Sequence, residues 1–250
     1  MPISVVTEQA GQVATVRIER QERLNSLGTA DFAELARAIR SADAAGPTAI
    51  VLTGEGRAFC SGADLSGTVD AETVAVAADL IRAIADARAV VVARVHGPAA
   101  GVGVSIALAC DLVIAAESAF LLVPFLPLGL VPDGGATRLL TLLAGPARAA
   151  RMAFGGERVS ATAAQSWGLI AEAVADELLD ERLGALVDRL LDAPDEAVFA
   201  TKRLLRAAER PRLDEALDAE LEVQGHLLAG ADFALAREAF RAKRPQSFRR

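Results

Sequence analysis

The sequence has only two cysteines and two histidines among its 250 residues, and this scarcity limits the chemistry available to it. Cys60 and Cys110 are too few to build a disulfide framework, so a reducing, cytoplasmic setting is expected. His96 and His226 lack the neighbouring Cys or carboxylate residues of a zinc ligand set. We therefore predict no metal site.

Basic charge and long apolar runs are also scarce. Lys and Arg number 26 against 33 Asp and Glu, giving a net charge of −7. An acidic chain without clustered cations is not expected to bind nucleic acid. The longest apolar stretches are interrupted by Arg94, His96, glycine or proline, and the first residues lack the charged and apolar regions of a signal peptide. We therefore predict a cytoplasmic protein without a membrane partner.

The apolar residues that are present, 52% of the chain, are patterned as alternating strands and helices. Strands are predicted at 3–8, 13–18, 49–53, 90–95, 112–115, 119–122 and 169–174. A turn at Ala10-Gly11 is expected to join the first two strands. Helices are predicted at 29–42, 70–87, 101–109 and 135–143, and over nearly all of the chain from 146 onward. Such repeated strand and helix units imply an α/β fold of layered sheets with a helical C-terminal region. Because Asp192-Ala193-Pro194 breaks a helix, we place a boundary there, giving a core of 1–192 and a helical region of 193–250.

One predicted helix of the C-terminal region carries a run of charge. Acidic residues at 214, 215, 218, 220 and 222 are expected to form its solvent face. Leu213, Leu217, Leu221 and Leu228 are expected to pack against another subunit.

Two glycine-rich stretches, Arg57–Leu65 and His96–Gly103, each follow a strand-like run. Loops of this kind can leave backbone N–H groups free to face one point, which is how an oxyanion hole is built. The alternative is that Gly62 and Gly101 only allow a tight turn and close helix packing.

Three later segments complete a recognisable order of motifs: Leu128–Leu139, Trp167–Ile170 and Lys243–Pro245. Together with the two glycine-rich stretches they resemble the enoyl-CoA hydratase/isomerase (crotonase) family. The resemblance implies a crotonase-like spiral of repeated ββα units with a C-terminal trimerisation region. It also implies an acyl-CoA thioester substrate and a homotrimer or hexamer. No separate cofactor is expected, because coenzyme A is part of the substrate.

The resemblance assigns the oxyanion donors to the backbone N–H groups of Ala63 and Val102. Family members often carry glycine at the second position, so Val102 is acceptable only if its side chain points away from the thioester. The predicted substrate-binding residues are Arg57, Phe59, Ser61, Gly62, Asp64, Leu65, Gly101, Ser105, Phe125, Leu130 and Lys243. The basic tail, which includes Arg244, Arg249 and Arg250, either meets coenzyme A phosphates across a subunit interface or is a solvated terminus.

The residues that move protons differ from those of the related hydratases. Such hydratases use two glutamates, and the matching positions here are Ser105 and Phe125. Hydration needs a general base and a general acid, so ordinary hydratase activity is doubtful. The Ser105 hydroxyl either positions a water or bonds back to a helix carbonyl.

Asp133 is the carboxylate that remains. In family isomerases an Asp commonly occupies this position, and one base can take a proton from C2 of the substrate and return it at C4. Apolar neighbours such as Leu122, Phe125 and Leu130 would desolvate this carboxylate and raise its pKa. The alternative is an N-cap of the helix predicted to begin near Gly134, where the helix dipole would lower the pKa.

The favoured function is therefore an enoyl-CoA isomerase that holds an enolate in an oxyanion hole. One alternative is a hydratase with an unusual water site around Ser105, and another is a noncatalytic acyl-CoA-binding paralogue. Related dehalogenases use Asp at the position of Asp133 as a nucleophile, but they carry Trp where this chain has Phe125. Cys60 lies in the first glycine-rich stretch, where buried packing is favoured over a nucleophilic role.

Overall fold

Two β-sheets form the framework of the protein, seen in a computed structural model that describes residues 3–8, 12–245 and 247–248. The strands in these residues are β1 (Ile3–Glu8), β2 (Val13–Ile18), β3 (Ala49–Gly54), β4 (Val90–Val95), β5 (Pro98–Ala100), β6 (Leu112–Ala116), β7 (Phe120–Leu122), β8 (Val159–Ser160) and β9 (Glu172–Val174). The larger sheet has the order β1-β2-β3-β4-β6-β9 and the smaller the order β5-β7-β8.

The larger sheet is parallel except for its first pair. The antiparallel hairpin of β1 and β2 is confirmed, and its predicted turn at Ala10-Gly11 lies outside the described residues. A parallel sheet covered on both faces needs continuous apolar runs instead of alternating ones. All six residues of β3 are accordingly buried, as are five of the six in β4.

Three strands differ from the sequence prediction by more than one residue. The strand predicted at 169–174 is limited to β9, while β5 and β8 were not predicted at all. Two or three residues such as Pro-Ala-Ala are too few to show a period, and these strands exist because they pair with β7. β5 lies within the second glycine-rich stretch, so the small sheet positions that loop.

The helices in the described residues are α1 (Thr29–Ala44), α2 (Ala71–Asp86), α3 (Val102–Ala109), α4 (Ala136–Ala144), α5 (Pro146–Gly155), α6 (Ala161–Trp167), α7 (Leu179–Leu191), α8 (Asp195–Ala207), α9 (Arg210–Leu228) and α10 (Ala231–Arg241). Asp70 caps α2 by accepting a hydrogen bond from the Thr73 N–H at 3.0 Å. The predicted helix break at 192–194 is confirmed between α7 and α8. The domain boundary placed there stays a prediction.

The C-terminal helices fold back onto the rest of the same chain. α9 packs against α2 and α4, and α10 packs against the turn at 126–128. Leu213 and Leu217, predicted to meet another subunit, are buried in the chain's own core. Glu220, predicted to face solvent, is only 5% exposed. None of the helices within the described ranges is long and apolar enough to cross a membrane.

Candidate active site

A largely apolar cavity of about 510 Å³ lies between the first glycine-rich loop, the start of α3, the 124–133 segment and the C-terminal helices. The predicted site residues that line it are Ser61, Gly62, Ala63, Asp64, Leu65, Gly101, Val102, Phe125, Leu130 and Asp133. Leu228 of α9 and Phe240 of α10 contribute further apolar surface. The cavity therefore joins segments that are far apart in the sequence.

The two glycine-rich loops run side by side in this cavity. A parallel bridge pairs Cys60 with Ala99, and the Ala100 N–H donates to the Cys60 carbonyl at 2.9 Å. Beyond this bridge the loops stay close, because a Cβ on Gly101 would lie 3.8 Å from Cα of Gly62. The loops approach so closely that a Cβ on Gly62 would lie 2.8 Å from the Ala100 oxygen, at a φ of +96° that other residues rarely adopt.

Both predicted oxyanion donors have free N–H groups. Leu27 donates to the Gly62 carbonyl and accepts from the Asp64 N–H, each at 2.9 Å, so Ala63 between them turns its own N–H away from Leu27. Val102 is the first residue of α3, where an N–H has no partner inside the helix. No acceptor in the described residues takes a hydrogen bond from either group. The two N–H groups are thus available to an oxygen atom in the cavity.

One branch of the Val102 side chain is turned toward the segment before α4, and the expectation that the whole side chain points away from a thioester stays a prediction. Cγ2 of Val102 would lie 3.0 Å from a Cβ placed on Gly134, so this branch packs against the turn before α4. Gly134 has a φ of +68°, and its Cβ would also lie 2.9 Å from Cβ of Ser105. Glycine at this position therefore allows α3 to approach the turn closely.

The Asp133 side chain is almost fully buried, and only one of its two carboxyl oxygens has a hydrogen-bond partner. Its side-chain Oδ2 accepts a hydrogen bond from Nε2 of Gln224 at 2.9 Å, whereas Oδ1 is buried without a hydrogen-bond partner. Burial raises the pKa of Asp133 to about 7; the hydrogen bond from Gln224 opposes this shift, and the nearby charge of Glu220 adds to it. Such a carboxyl can exchange a proton near neutral pH.

The N-cap interpretation of Asp133 is wrong. α4 begins at Ala136 and its N-cap residue is Gly135, because the two glycines insert a turn after Asp133. The N–H groups of Gly135 and Thr137 instead donate to the Glu220 carboxylate at 2.6 and 2.9 Å. The predicted lowering of the Asp133 pKa by the helix dipole is also wrong, since its pKa is raised.

Ser105 lies behind Asp133 and does not line the cavity. Its side chain is fully buried, and Oγ donates to the backbone carbonyl of Asp133 at 2.6 Å. Both interpretations drawn from the sequence are therefore wrong. The hydroxyl does not donate to a carbonyl of its own helix, and it does not reach the cavity, where it could position a water. It fixes the backbone of the residue that carries the carboxyl.

Three other predicted substrate-binding residues also lie outside the cavity lining. Phe59 is fully buried in the core. Arg57 and Lys243 are exposed. Arg249 and Arg250 lie outside the described residues. Cys60 is buried, and burial raises the pKa of its thiol to about 12, which suits packing and not nucleophilic attack.

The sequence analysis missed Gln224 and gave Glu220 the wrong environment. Both lie on α9 at the spacing of Leu213 and Leu217, so they fall on the face that packs against the core. Two polar residues on an otherwise apolar helical face were the signal that could have found them.

α10 is a second contribution to the site that the sequence did not indicate. Arg237 and Arg241 donate hydrogen bonds to the backbone carbonyls of residues 65–67, directly after the first glycine-rich loop. Arg20 pairs with Asp64 at 3.1 Å, just before those carbonyls. Arginine side chains therefore anchor this loop.

Comparison with known proteins shows the same architecture elsewhere. The family model described as enoyl-CoA hydratase/isomerase matches residues 8–250. A probable enoyl-CoA hydratase of Rhodobacter capsulatus is 39% identical, and a 1,2-epoxyphenylacetyl-CoA isomerase of Escherichia coli is 36% identical, each over 94% of both chains. The crystal structure of an enoyl-CoA hydratase from Mycobacterium avium subsp. paratuberculosis is similar with a TM-score of 0.93 and 37% identity, over 100% of this chain and 99% of that one.

Proposed function

The chain belongs to the enoyl-CoA hydratase/isomerase family, and we propose that it is an enoyl-CoA isomerase that shifts a double bond through an enolate. The family resemblance and the crotonase-like α/β fold predicted from the sequence are confirmed. As a member of this family the protein is an enzyme that acts on acyl-CoA thioesters. The proposal concerns which reaction it catalyses.

The proposed reaction needs one base and one oxyanion hole. The Asp133 carboxylate takes a proton from C2 of a 3-enoyl-CoA, and the electron pair of that C–H bond moves into the thioester carbonyl. The N–H groups of Ala63 and Val102 stabilise the resulting enolate oxygen. The protonated Asp133 then returns the proton at C4, the double bond moves to C2–C3, and the carboxylate is regenerated.

The proposal rests on the buried carboxyl of Asp133, one oxygen of which has no hydrogen-bond partner. Asp64 is the other carboxylate in the described lining of the cavity, but it accepts hydrogen bonds from Arg20 and Ser66. A pKa of about 7 suits a group that must both accept and return a proton at neutral pH. A relative from E. coli is named 1,2-epoxyphenylacetyl-CoA isomerase, so a similar protein is named for isomerisation of a CoA thioester, although its named substrate is an epoxide.

The hydratase alternative has less support from the geometry. Ser105 and Phe125 replace the two hydratase glutamates, and Ser105 is turned away from the cavity to the Asp133 carbonyl. A hydratase would need a second proton-transferring group, and Asp64 is already held in an ion pair. Several relatives are nevertheless named as hydratases, so hydration must be measured beside isomerisation.

Asp133→Asn is the variant that tests the proposal. Asparagine keeps the size of the side chain and can still accept the Gln224 hydrogen bond, but it cannot act as a base. We expect isomerisation of a 3-enoyl-CoA to fall by about 10²-fold or more, with loss of C2 deuterium exchange in heavy water. Binding of a saturated acyl-CoA should persist and serves as the control for an intact cavity. Isomerisation at the native rate would refute the proposal.

A further inference from the structure

We infer that helix α9 is part of the proton-transferring machinery, in which Gln224 and Glu220 act as positioning residues for Asp133. Gln224 donates a hydrogen bond to one oxygen of the Asp133 carboxyl. Glu220 accepts a hydrogen bond from the glycine turn that follows Asp133, and it places a second carboxylate near the first. This inference rests on the proposed function, in which Asp133 transfers the proton.

The Gln224 side chain is locked in one orientation. It is only 1% exposed, its Oε1 accepts from the Val131 N–H at 3.1 Å, and its Nε2 donates to the Val131 carbonyl at 3.0 Å. Because Val131 supplies one donor and one acceptor, exchanging the amide oxygen and nitrogen would break both bonds. The group that meets Oδ2 of Asp133 must therefore be the amide NH₂.

The fixed orientation of the Gln224 amide determines which oxygen of the Asp133 carboxyl carries the proton. Oδ2 already accepts a hydrogen bond, so a proton on Asp133 belongs on Oδ1, the oxygen without a partner. Oδ1 is therefore the oxygen that would take up and return the proton in the proposed reaction. Without Gln224 the two oxygens would be equivalent, and the carboxyl could rotate between them.

Glu220 acts one helical turn earlier on the same face of α9. It is 5% exposed and accepts hydrogen bonds from the N–H groups of Gly135 and Thr137 and from the Thr137 hydroxyl. These bonds fix the turn that separates Asp133 from α4. Burial raises the pKa of Glu220 above its usual range, whereas the hydrogen bonds from Thr137 and Gly135 oppose that rise. The helix dipole at the start of α4 also favours the charged form.

Among the charged groups around Asp133, Glu220 is expected to have the largest effect on the Asp133 pKa. α3 presents the neutral Ser105 to the Asp133 backbone. Arg138 of α4 is paired with Glu209, and Asp64 across the cavity is paired with Arg20. Arg23 is the other charged residue in the described lining of the cavity.

Two substitutions on α9 should move the titration of Asp133 in opposite directions. Gln224→Met keeps an unbranched side chain of similar length but removes the donor to Oδ2, so the carboxylate is less stabilised and the Asp133 pKa rises. Glu220→Gln keeps one of the two acceptor oxygens that bind the Gly135 and Thr137 N–H groups and replaces the other by an NH₂ group. The substitution removes the charge, so the Asp133 pKa falls. Shifts of about one unit are expected from a lost hydrogen bond or neighbouring charge.

The carboxyl is followed directly by infrared difference spectroscopy of the substrate-free protein, using the C=O band that Asp133→Asn removes. The pH profile of isomerisation is measured on the same variants. Its midpoint should rise with Gln224→Met and fall with Glu220→Gln. Glu222→Gln is the matched control, because Glu222 lies on the exposed face of the same helix and should change neither measurement. If Gln224→Met does not fold, Gln224→Glu keeps the length and should also raise the Asp133 pKa.

The outcomes separate this inference from the proposed function. Unchanged carboxyl titration in both α9 variants, with Asp133→Asn still inactive, would overturn the role of α9 and leave Asp133 as the base. A full isomerisation rate in Asp133→Asn would overturn the proposed function, and the inference with it. Opposite shifts in both the carboxyl band and the pH profile would support the inference.

Discussion

Asp133→Asn should make the protein more stable at pH 8, although it should inactivate the enzyme. The reason is that a buried carboxyl must lose its proton in a poorly solvating environment. Asparagine has nearly the same shape and never carries this charge. The proposed base would then be a residue whose ionisation opposes folding.

The size of the effect follows from the raised pKa. Asp133 has a pKa of about 7 in the folded protein, compared with 3.8 for an unperturbed Asp. Between these values the folded chain binds more protons than the unfolded chain, so the free energy of unfolding decreases as pH rises from about 4 to about 7. The stabilising contribution is fully present below pH 4 and is lost above pH 7. Roughly three pKa units at about 1.4 kcal/mol each give about 4 kcal/mol.

The assay compares the two proteins by urea unfolding at pH 5, 6, 7 and 8 and at one protein concentration, because subunit association would also contribute to stability. The variant should gain about 3 kcal/mol relative to the native protein between pH 5 and pH 8, since about two of the three units lie in that range. Glu222→Gln supplies the baseline for loss of an exposed carboxylate.

A stability difference that stays constant from pH 5 to pH 8 would show that Asp133 titrates near its ordinary pKa. The reasoning from burial would then be refuted. A difference that decreases with pH would mean that the carboxylate form is the one that folding favours.

Three further predictions follow from the sequence and the same site. Because the base must be ionised, kcat/KM for isomerisation should rise about tenfold per pH unit below the Asp133 pKa and level off above about pH 7; a flat profile from pH 5 to pH 9 would contradict this. Crotonyl-CoA hydration should be slower than in a two-glutamate relative by about 10²–10⁴ for each missing group, and a coupled spectrophotometric assay showing comparable rates would identify another water-activating residue. Light scattering should give a mass that is a multiple of three chains, and a stable monomer at micromolar concentration would contradict the trimer expected from the family.

The long elements of the fold could be predicted because their own sequence determines them. β3 and β4 each begin with four apolar residues in a row, and α2 follows an Asp that caps it. β5 and β8 could not be predicted, since strands this short form only by pairing with β7. Helix starts were misplaced by a single residue at α3 and α4, where glycine precedes the first helical residue.

The candidate site also has features that the sequence indicated and features that depend on contacts between distant parts of the chain. The family resemblance assigned Ala63 and Val102 as oxyanion donors, and that role stays a prediction; the structure shows that both residues line the cavity. The environment of Asp133 could not be predicted, because it depends on Gln224, which lies 91 residues away in the sequence. The N-cap interpretation failed because Gly134 and Gly135 both adopt positive φ and turn the chain before α4 begins.

The contacts of α9 and α10 with the cavity have a consequence for the order in which the protein is made. Domains generally fold from the N-terminal side during synthesis, yet Gln224, Leu228 and Phe240 complete the cavity lining after nearly all of the chain has been translated. Until α9 and α10 have emerged from the ribosome, the cavity between the two glycine-rich loops and Asp133 would lack part of its wall. Its apolar lining would be exposed to solvent for that time.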